Sequence, residues 1–259
     1  MQTLKEIIPS EKDNSNVKML VADGSLAIIS DIGRRKKRNQ DFGIVAYRKD
    51  GVAIMIVADG VSNSQNAELA AQVAVNATFN TLNNSASFTK ACMKRAIMFA
   101  HEQVCSLPYD ESHRLDEPET TIVAALIKDQ ELIVGWVGDS RAYSINDVES
   151  KLLTKDDSWC NMAIEKGFLK ADEVEGHPKA HVITQCLGTR STIPDIHTVK
   201  YRIGIRNGIV LCSDGLWGMI DMSEPVQIEN TADMISWRYV TLANRMGGFD
   251  NITVATWLP

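Results

Sequence analysis

The chain has 259 residues, of which 44% are apolar and 23% charged, and its formal net charge is −6. That balance belongs to a globular protein long enough for a large core, and it excludes a disordered, collagenous or coiled-coil chain. The acid excess argues against bulk nucleic-acid binding, which draws on counterion release by many Lys and Arg.

Residues 1–10 contain no signal-peptide core, and residues 1–24 mix charged and polar side chains. They read as an N-terminal arm or an added edge strand. From Ser25 onward, short runs rich in Val and Ile recur at 26–29, 52–58, 121–127, 132–137, 209–212 and 252–257. Their length and composition predict buried strands. Lys128, Asp129 and Gln130 make a short polar break between two runs, which predicts an antiparallel hairpin.

Helical spacing fills the gaps. Residues 66–83 are rich in Ala. Met93, Ile97, Ala100 and Val104 recur three or four apart, as do Ile235, Tyr239, Leu242 and Met246, with Gly247 where a helix end favours glycine. Residues 156–200 carry few apolar runs and read as a helical or irregular insertion. No apolar run approaches the ~18 residues of a membrane-spanning helix. Neither repeats nor a low-complexity linker divide the chain, which predicts one domain over 25–259 with antiparallel sheets covered by helices. The five cysteines form no C-x-x-C pair. They read as free thiols of a cytoplasmic protein rather than a disulfide framework or a zinc ribbon.

Aspartates stand at the strand ends. Asp59-Gly60, Asp139-Ser140 and Asp214-Gly215 each follow an apolar run, Asp250-Asn251 precedes the last one, and Asp41 follows the basic cluster Arg34-Arg35-Lys36-Lys37-Arg38. Any one Asp-Gly here reads equally as a turn. Converging together, such carboxylates would form a hard oxygen site suited to Mg²⁺ or Mn²⁺.

The order of motifs resembles the metal-dependent serine/threonine protein phosphatases of type 2C (PPM), in their bacterial short form. The carrying pieces are Asp31-Ile32-Gly33 with Asn39-Gln40-Asp41, then Ala58-Asp59-Gly60-Val61, Thr120-Thr121 and Gly138-Asp139-Ser140-Arg141. Further on come Leu153-Thr154 with Asp157-Ser158-Trp159, Leu187-Gly188, Ser213-Asp214-Gly215-Leu216-Trp217 and Asp250-Asn251-Ile252-Thr253. They span about residues 25 to 258. The resemblance implies a four-layer α-β-β-α sandwich of the α+β class, with two antiparallel sheets flanked by helices.

It also implies hydrolysis of phosphoserine and phosphothreonine at a binuclear Mn²⁺ or Mg²⁺ centre. Two cations about 3.5–4 Å apart lower the pKa of a shared water and hold it for in-line attack, so no protein nucleophile is needed. By resemblance, Asp59 bridges both ions, the Gly60 carbonyl binds one, Asp214 and Asp250 complete the other, and Asp41 acts through water. Asp139, with Asp214, matches a third, weaker site. Asp59, Asp214, Asp250 and Lys36 would then carry catalysis, with Lys36 and Arg35 on the substrate phosphate and Gln40 and Asn251 orienting water. Residues 156–200 match the family's variable flap. The partners implied are a phosphorylated protein and a cognate Ser/Thr kinase, with neither nucleic acid nor membrane.

Departures from the family pattern keep other readings open. Gln40 stands in place of a Glu, and Lys36 in place of a phosphate-binding Arg, so a point charge replaces a two-pronged grip. Val61-Ser62-Asn63-Ser64 offers no histidine as general acid. A non-catalytic phosphoprotein-binding relative and a small-metabolite phosphatase remain the alternatives. His177 and His181 have metal-like spacing, but Pro178 argues against a helix across both and favours structural roles.

Overall fold

The computed structural model describes residues 5–7, 18–112, 116–174, 177–226 and 230–259, those up to Asp23 by backbone alone. The elements in chain order are β1 (Lys5–Ile7), β2 (Lys18–Asp23), β3 (Leu26–Asp31), β4 (Asp41–Tyr47), β5 (Ala53–Asp59), α1 (Ala67–Asn83) and α2 (Lys90–Cys105). There follow β6 (Ile122–Lys128), β7 (Glu131–Val137), β8 (Arg141–Ile145), β9 (Ser150–Leu152), α3 (Trp159–Glu165), β10 (His197–Arg202), β11 (Gly208–Cys212), α4 (Asp214–Trp217), α5 (Ala232–Arg245) and β12 (Ile252–Trp257).

Side-chain alternation builds the layers, since successive residues of a strand face opposite sides of its sheet. In β5, Ile54, Ile56 and Ala58 pack with Ala71, Val75, Met93 and Ile97 of the helices. Ala53, Met55 and Val57 point the other way, into a core shared with Leu26, Leu211 and Trp257 of the other sheet. In β12, Ile252 and Val254 pack with Ile235 and Val240 of α5, while Ala255 and Trp257 enter the core between the sheets. Strands buried on both faces read as continuous apolar runs, which is why the central strands were visible in the sequence. A fully buried Ile or Leu contributes about 1.5–3 kcal/mol, so Ile54, Ile56, Ile122 and Leu126 anchor the strands whose ends carry the site.

One sheet has seven strands in the order β1-β2-β3-β12-β11-β8-β9, and the other has five in the order β10-β7-β6-β5-β4. Every pairing is antiparallel. With α1 and α2 on the five-stranded sheet and α5 on the seven-stranded one, the layers run α-β-β-α, as expected. The hairpin at 128–130 joins β6 to β7, with Asp129 at φ 53°. Strands β4, β8, β9 and β10 were not expected. Within the 156–200 segment lie α3 and a single 3₁₀ turn at Ala171–Glu173.

The backbone of β2 pairs with β3 and that of β1 with β2, extending the seven-stranded sheet at its edge. Residues 1–4 and 8–17 of the expected arm lie outside the described residues. Among the described residues all five cysteines are free, and no helix is long and apolar enough to cross a membrane.

Candidate active site

Antiparallel order fixes which strand ends meet. Asp41 opens β4 and Asp59 closes β5, and the two are cross-strand partners. β7 runs parallel to β5, so Asp139, after Val137, leaves the sheet at the same end. In the other sheet β11 leads into Asp214 at the start of α4, while Asp250 immediately precedes the antiparallel β12. The five aspartates singled out in the sequence are thus gathered at one end of the sandwich.

Close backbone contacts hold the loops there. A Cβ on Gly215 would lie 1.9 Å from the Asn251 carbonyl oxygen, and one on Gly33, at φ +75°, only 2.1 Å from the Asp250 carbonyl oxygen. Glycine at 215 therefore serves close approach of two loops, not merely a turn. The Asn251 amide binds the basic loop: Oδ1 accepts from the Gln40 N–H at 2.8 Å, and Nδ2 donates to the carbonyls of Ile32 and Arg38 at 2.9 Å each. Buried and with both amide hydrogens committed to backbone, Asn251 clasps this loop.

Asp41, Asp59 and Asp139 are each held by neighbouring hydrogen bonds. Ser213 Oγ donates to Asp41 Oδ2 at 2.7 Å. The Asp59 carbonyl accepts from Thr121 N–H at 2.8 Å and from Thr120 Oγ at 2.9 Å, and Thr121 Oγ bonds Ser140 Oγ at 2.8 Å. The Trp217 indole donates to the Asp139 carbonyl at 3.0 Å and lies under the Arg141 guanidinium, 3.6 Å from its ring centroid. Arg141 in turn is held by Asp156, with Nε–Oδ1 at 2.9 Å and Nη2–Oδ2 at 2.6 Å. Ser213, Trp217 and Asp156 escaped the sequence reading as site supports. Their only signal was position: Ser213 and Trp217 stand at the two ends of the motif around Asp214, and Asp156 immediately precedes Asp157.

The cluster is electrostatically unbalanced. Burial, opposed by the Ser213 hydrogen bond, pushes the Asp41 carboxyl up to about 7. Burial and the charge of Asp214 push Asp139 up to about 8. Burial and neighbouring Asp41 raise Asp59 well above the carboxylate range, and burial and Asp250 raise Asp214. Asp41 Oδ1 and Asp214 Oδ1 are buried without a hydrogen-bond partner. Crowded carboxylates with orphaned oxygens fit a hard divalent cation.

Among the described residues, however, no three His, Cys, Asp or Glu side chains already surround one point as ligands. Two pairings stand within the cluster. Asp59 and Asp214 share a hydrogen bond, and Asp250 is drawn to Lys36, with Nζ–Oδ1 at 2.7 Å. Lys36 also donates to Ser62 Oγ at 3.2 Å, which donates to Gln40 Oε1 at 3.3 Å. Of the two expected phosphate ligands, Lys36 thus reaches the cluster directly, whereas Arg35 sits over the Phe249 ring, 5.5 Å from its centroid.

In the 156–200 segment, His177 stacks on Trp159 with ring centroids 5.0 Å apart, and no helix spans His177 and His181. The His181 imidazole favours the charged form of Asp214. Asp157 accepts from Gly138 N–H and Gln185 Nε2 at 2.9 Å each, tying this segment to the loop that carries Asp139.

Sheets stacked between helices, with clustered carboxylates beside a basic loop at one end, match the architecture that the order of motifs implied. The family profile described as "Protein phosphatase 2C" matches residues 32–244, and the chain belongs to that family. It is accordingly a protein phosphatase of the 2C type. It is 31% identical over 238 residues to protein phosphatase PhpP of Streptococcus pneumoniae serotype 2, covering 89% of this chain and 95% of the relative. Similarity to the serine/threonine phosphatase stp of Listeria monocytogenes serotype 4b is 28% over 234 residues, covering 87% and 92%. The solved serine/threonine phosphatase of S. agalactiae superposes with a TM-score of 0.78 at 28% identity, covering 94% of this chain and 100% of that one.

Proposed function

We propose that the aspartate cluster is the catalytic centre, acting on phosphoserine and phosphothreonine of cytoplasmic proteins. In this reading Asp59 and the Gly60 carbonyl, with Asp214 and Asp250, hold two ions, and Asp41 and Asp139 flank them. When bound, the ions supply a nucleophilic water at neutral pH and offset charge on the phosphoryl group. The observation that carries the reading is the convergence of five carboxylates, two with buried oxygens that have no partner.

The chain's own residues do the rest. Asp59, Asp214 and Asp250 are partly exposed, whereas Asp41 and Asp139 are buried. Substrate therefore meets the first three, and the latter two set the field behind them. Lys36 stands between Asp250 and Ser62, where its ammonium can exchange the carboxylate for a phosphate oxygen. Gln40, anchored through Ser62, offers an amide to water above the cluster. Arg35 and its exposed neighbours add positive potential for a dianionic substrate.

We further assign residues 25–259 to one catalytic domain, with 1–24 as an appended arm and about 156–200 as a flap beside the site. The hydrogen bonds of Asp157 to Gly138 and Gln185 support the coupling of flap to site. Five free thiols support a reducing compartment. Because a phosphoprotein substrate must be made by phosphoryl transfer to a hydroxyl, a Ser/Thr kinase works opposite this enzyme. The test is hydrolysis of p-nitrophenyl phosphate and a phosphothreonine peptide with Mn²⁺, with Mg²⁺ and with EDTA. Turnover only with metal is expected. Peptide binding without turnover by folded, metal-supplied protein would favour the non-catalytic reading, for which Gln40 and Lys36 speak.

A further inference from the structure

Helix α5 is amphipathic in an unusual way. Its inner face is fully used: Ile235, Ser236, Tyr239, Val240 and Ala243 are buried, and Ser236 Oγ bonds Thr256 Oγ of β12 at 2.7 Å. Its outer face should then be polar. Instead, of the thirteen exposed large hydrophobic residues among the described ones, five fall between positions 234 and 249: Met234, Trp237, Leu242, Met246 and Phe249. Trp237 and Leu242 line a cavity of about 270 Å³ together with Arg238, Thr241 and Arg245. Clustered exposed apolar side chains mark interaction surfaces.

The charge of this face is equally particular. The chain is acidic overall, at −6, yet Arg238 and Arg245 flank the cavity. Neither they nor the exposed Arg34 and Arg35 make an ion pair among the described residues. The strip also runs into the catalytic end. Arg34 N–H donates to the Gly248 carbonyl at 2.8 Å, Arg35 covers Phe249, and the next residue, Asp250, pairs with Lys36. Apolar side chains interleaved with unpaired arginines therefore continue from the aspartate cluster along the outside of α5.

We propose that this strip is a docking track for the substrate chain itself: an extended segment bearing acidic and apolar side chains to one side of the phosphoresidue. The proposal rests on the phosphatase reading above and adds a sequence preference to it. From Trp237 to Met246 the helix rises about 13 Å, which about four extended residues span at ~3.3 Å each. Contacts with Phe249 and Arg35 fall nearest the phosphoresidue. Those with Trp237, Arg238 and Arg245 fall about four to seven positions away. Acidic side chains meet the arginines, an apolar one fills the cavity, and a basic segment is repelled.

The test uses phosphothreonine peptides with a Glu/Asp and Leu/Phe block four to seven positions before or after the phosphoresidue, against peptides with Ser and Lys there. With Mn²⁺, the wild-type chain is expected to favour the acidic–apolar peptide about tenfold in kcat/KM, a modest 1.4 kcal/mol. Arg238→Glu with Arg245→Glu, and separately Trp237→Ala, should erase that preference through KM while p-nitrophenyl phosphate turnover stays unchanged. A wild type with no preference, or variants that keep it, would overturn the proposal. So would a dimer, seen by sedimentation, that the charge reversal dissociates without altering peptide preference. If the wild type turns over no p-nitrophenyl phosphate, the phosphatase reading falls instead. The track is then judged by fluorescence polarisation of the same labelled peptides, with the same preference expected.

Discussion

Strand β4 has an ionisable residue at each end, and the two lie in opposite environments. Just past its far end, Arg48 is buried but satisfied: its guanidinium donates to both Asp50 oxygens, at 2.7 and 2.8 Å, and to the carbonyls of Leu82, Ser85 and Ser87. At its near end, Asp41 is equally buried, keeps one oxygen without a partner and faces other carboxylates. Arg48 ties the β4–β5 hairpin to the end of α1 and the loop after it. Asp41 ties nothing that a neutral side chain could not. A folded chain gains from the first arrangement and loses from the second. Retaining such unpartnered carboxylate oxygens at Asp41 and again at Asp214, at the same end of the sandwich, is therefore a mark of function, because local rules are broken where a site needs them broken.

The contrast breaks most sharply under substitution. Asp214→Ala should lower kcat/KM for a phosphothreonine peptide by at least about 10³-fold, or ~4 kcal/mol of transition-state stabilisation. The same protein in EDTA should melt at or above the wild-type temperature, since a crowded carboxylate with an unpartnered buried oxygen is gone. A lower melting point would mean that Asp214 serves the fold. Arg48→Ala should do the reverse. Orphaning three carbonyls costs about 2–3 kcal/mol, read as a lower urea midpoint, and metal-dependent turnover below the melting range should stay within about twofold by the usual independence of distant sites.

Acid sharpens the comparison by a smaller amount. The Arg48 hydrogen bonds, with its charge, hold the Asp50 carboxyl down at about 2 against an ordinary 3.8. A carboxyl depressed by folding contributes stability that is complete above its unfolded value and lost as pH falls through the folded one. Between about pH 4 and pH 2 the wild type should therefore lose stability more steeply than Asp50→Asn. Parallel urea midpoints for the two across that range would show that this pair is screened away.

Much of this architecture was legible because strands buried on both faces are written as continuous apolar runs. Residues 52–58 and 252–257 were found within about one residue of β5 and β12. β4 was missed because Gly43 and several half-buried side chains interrupt its pattern. β10 was missed because it is an edge strand of half-buried and exposed residues. The aspartates could be named from their place at strand ends, but their convergence depends on strand order, which spacing alone does not encode. The roles of Thr120 and Thr121 rest on hydrogen bonds to the neighbouring strand end at Asp59, and those of Ser213 and Trp217 on bonds between the two sheets' ends. The clasp that the Asn251 amide makes on the backbone of residues 32–40 likewise depends on tertiary contacts that spacing does not encode.

Calorimetric titration of Mn²⁺ into the wild type and Asp59→Asn tests most directly whether the unbalanced end of the sandwich exists to hold metal. The wild type should bind two ions, and the variant should lose binding at both, because Asp59 is common to them. Unchanged stoichiometry and affinity in the variant would contradict the account and leave the aspartate cluster without its function.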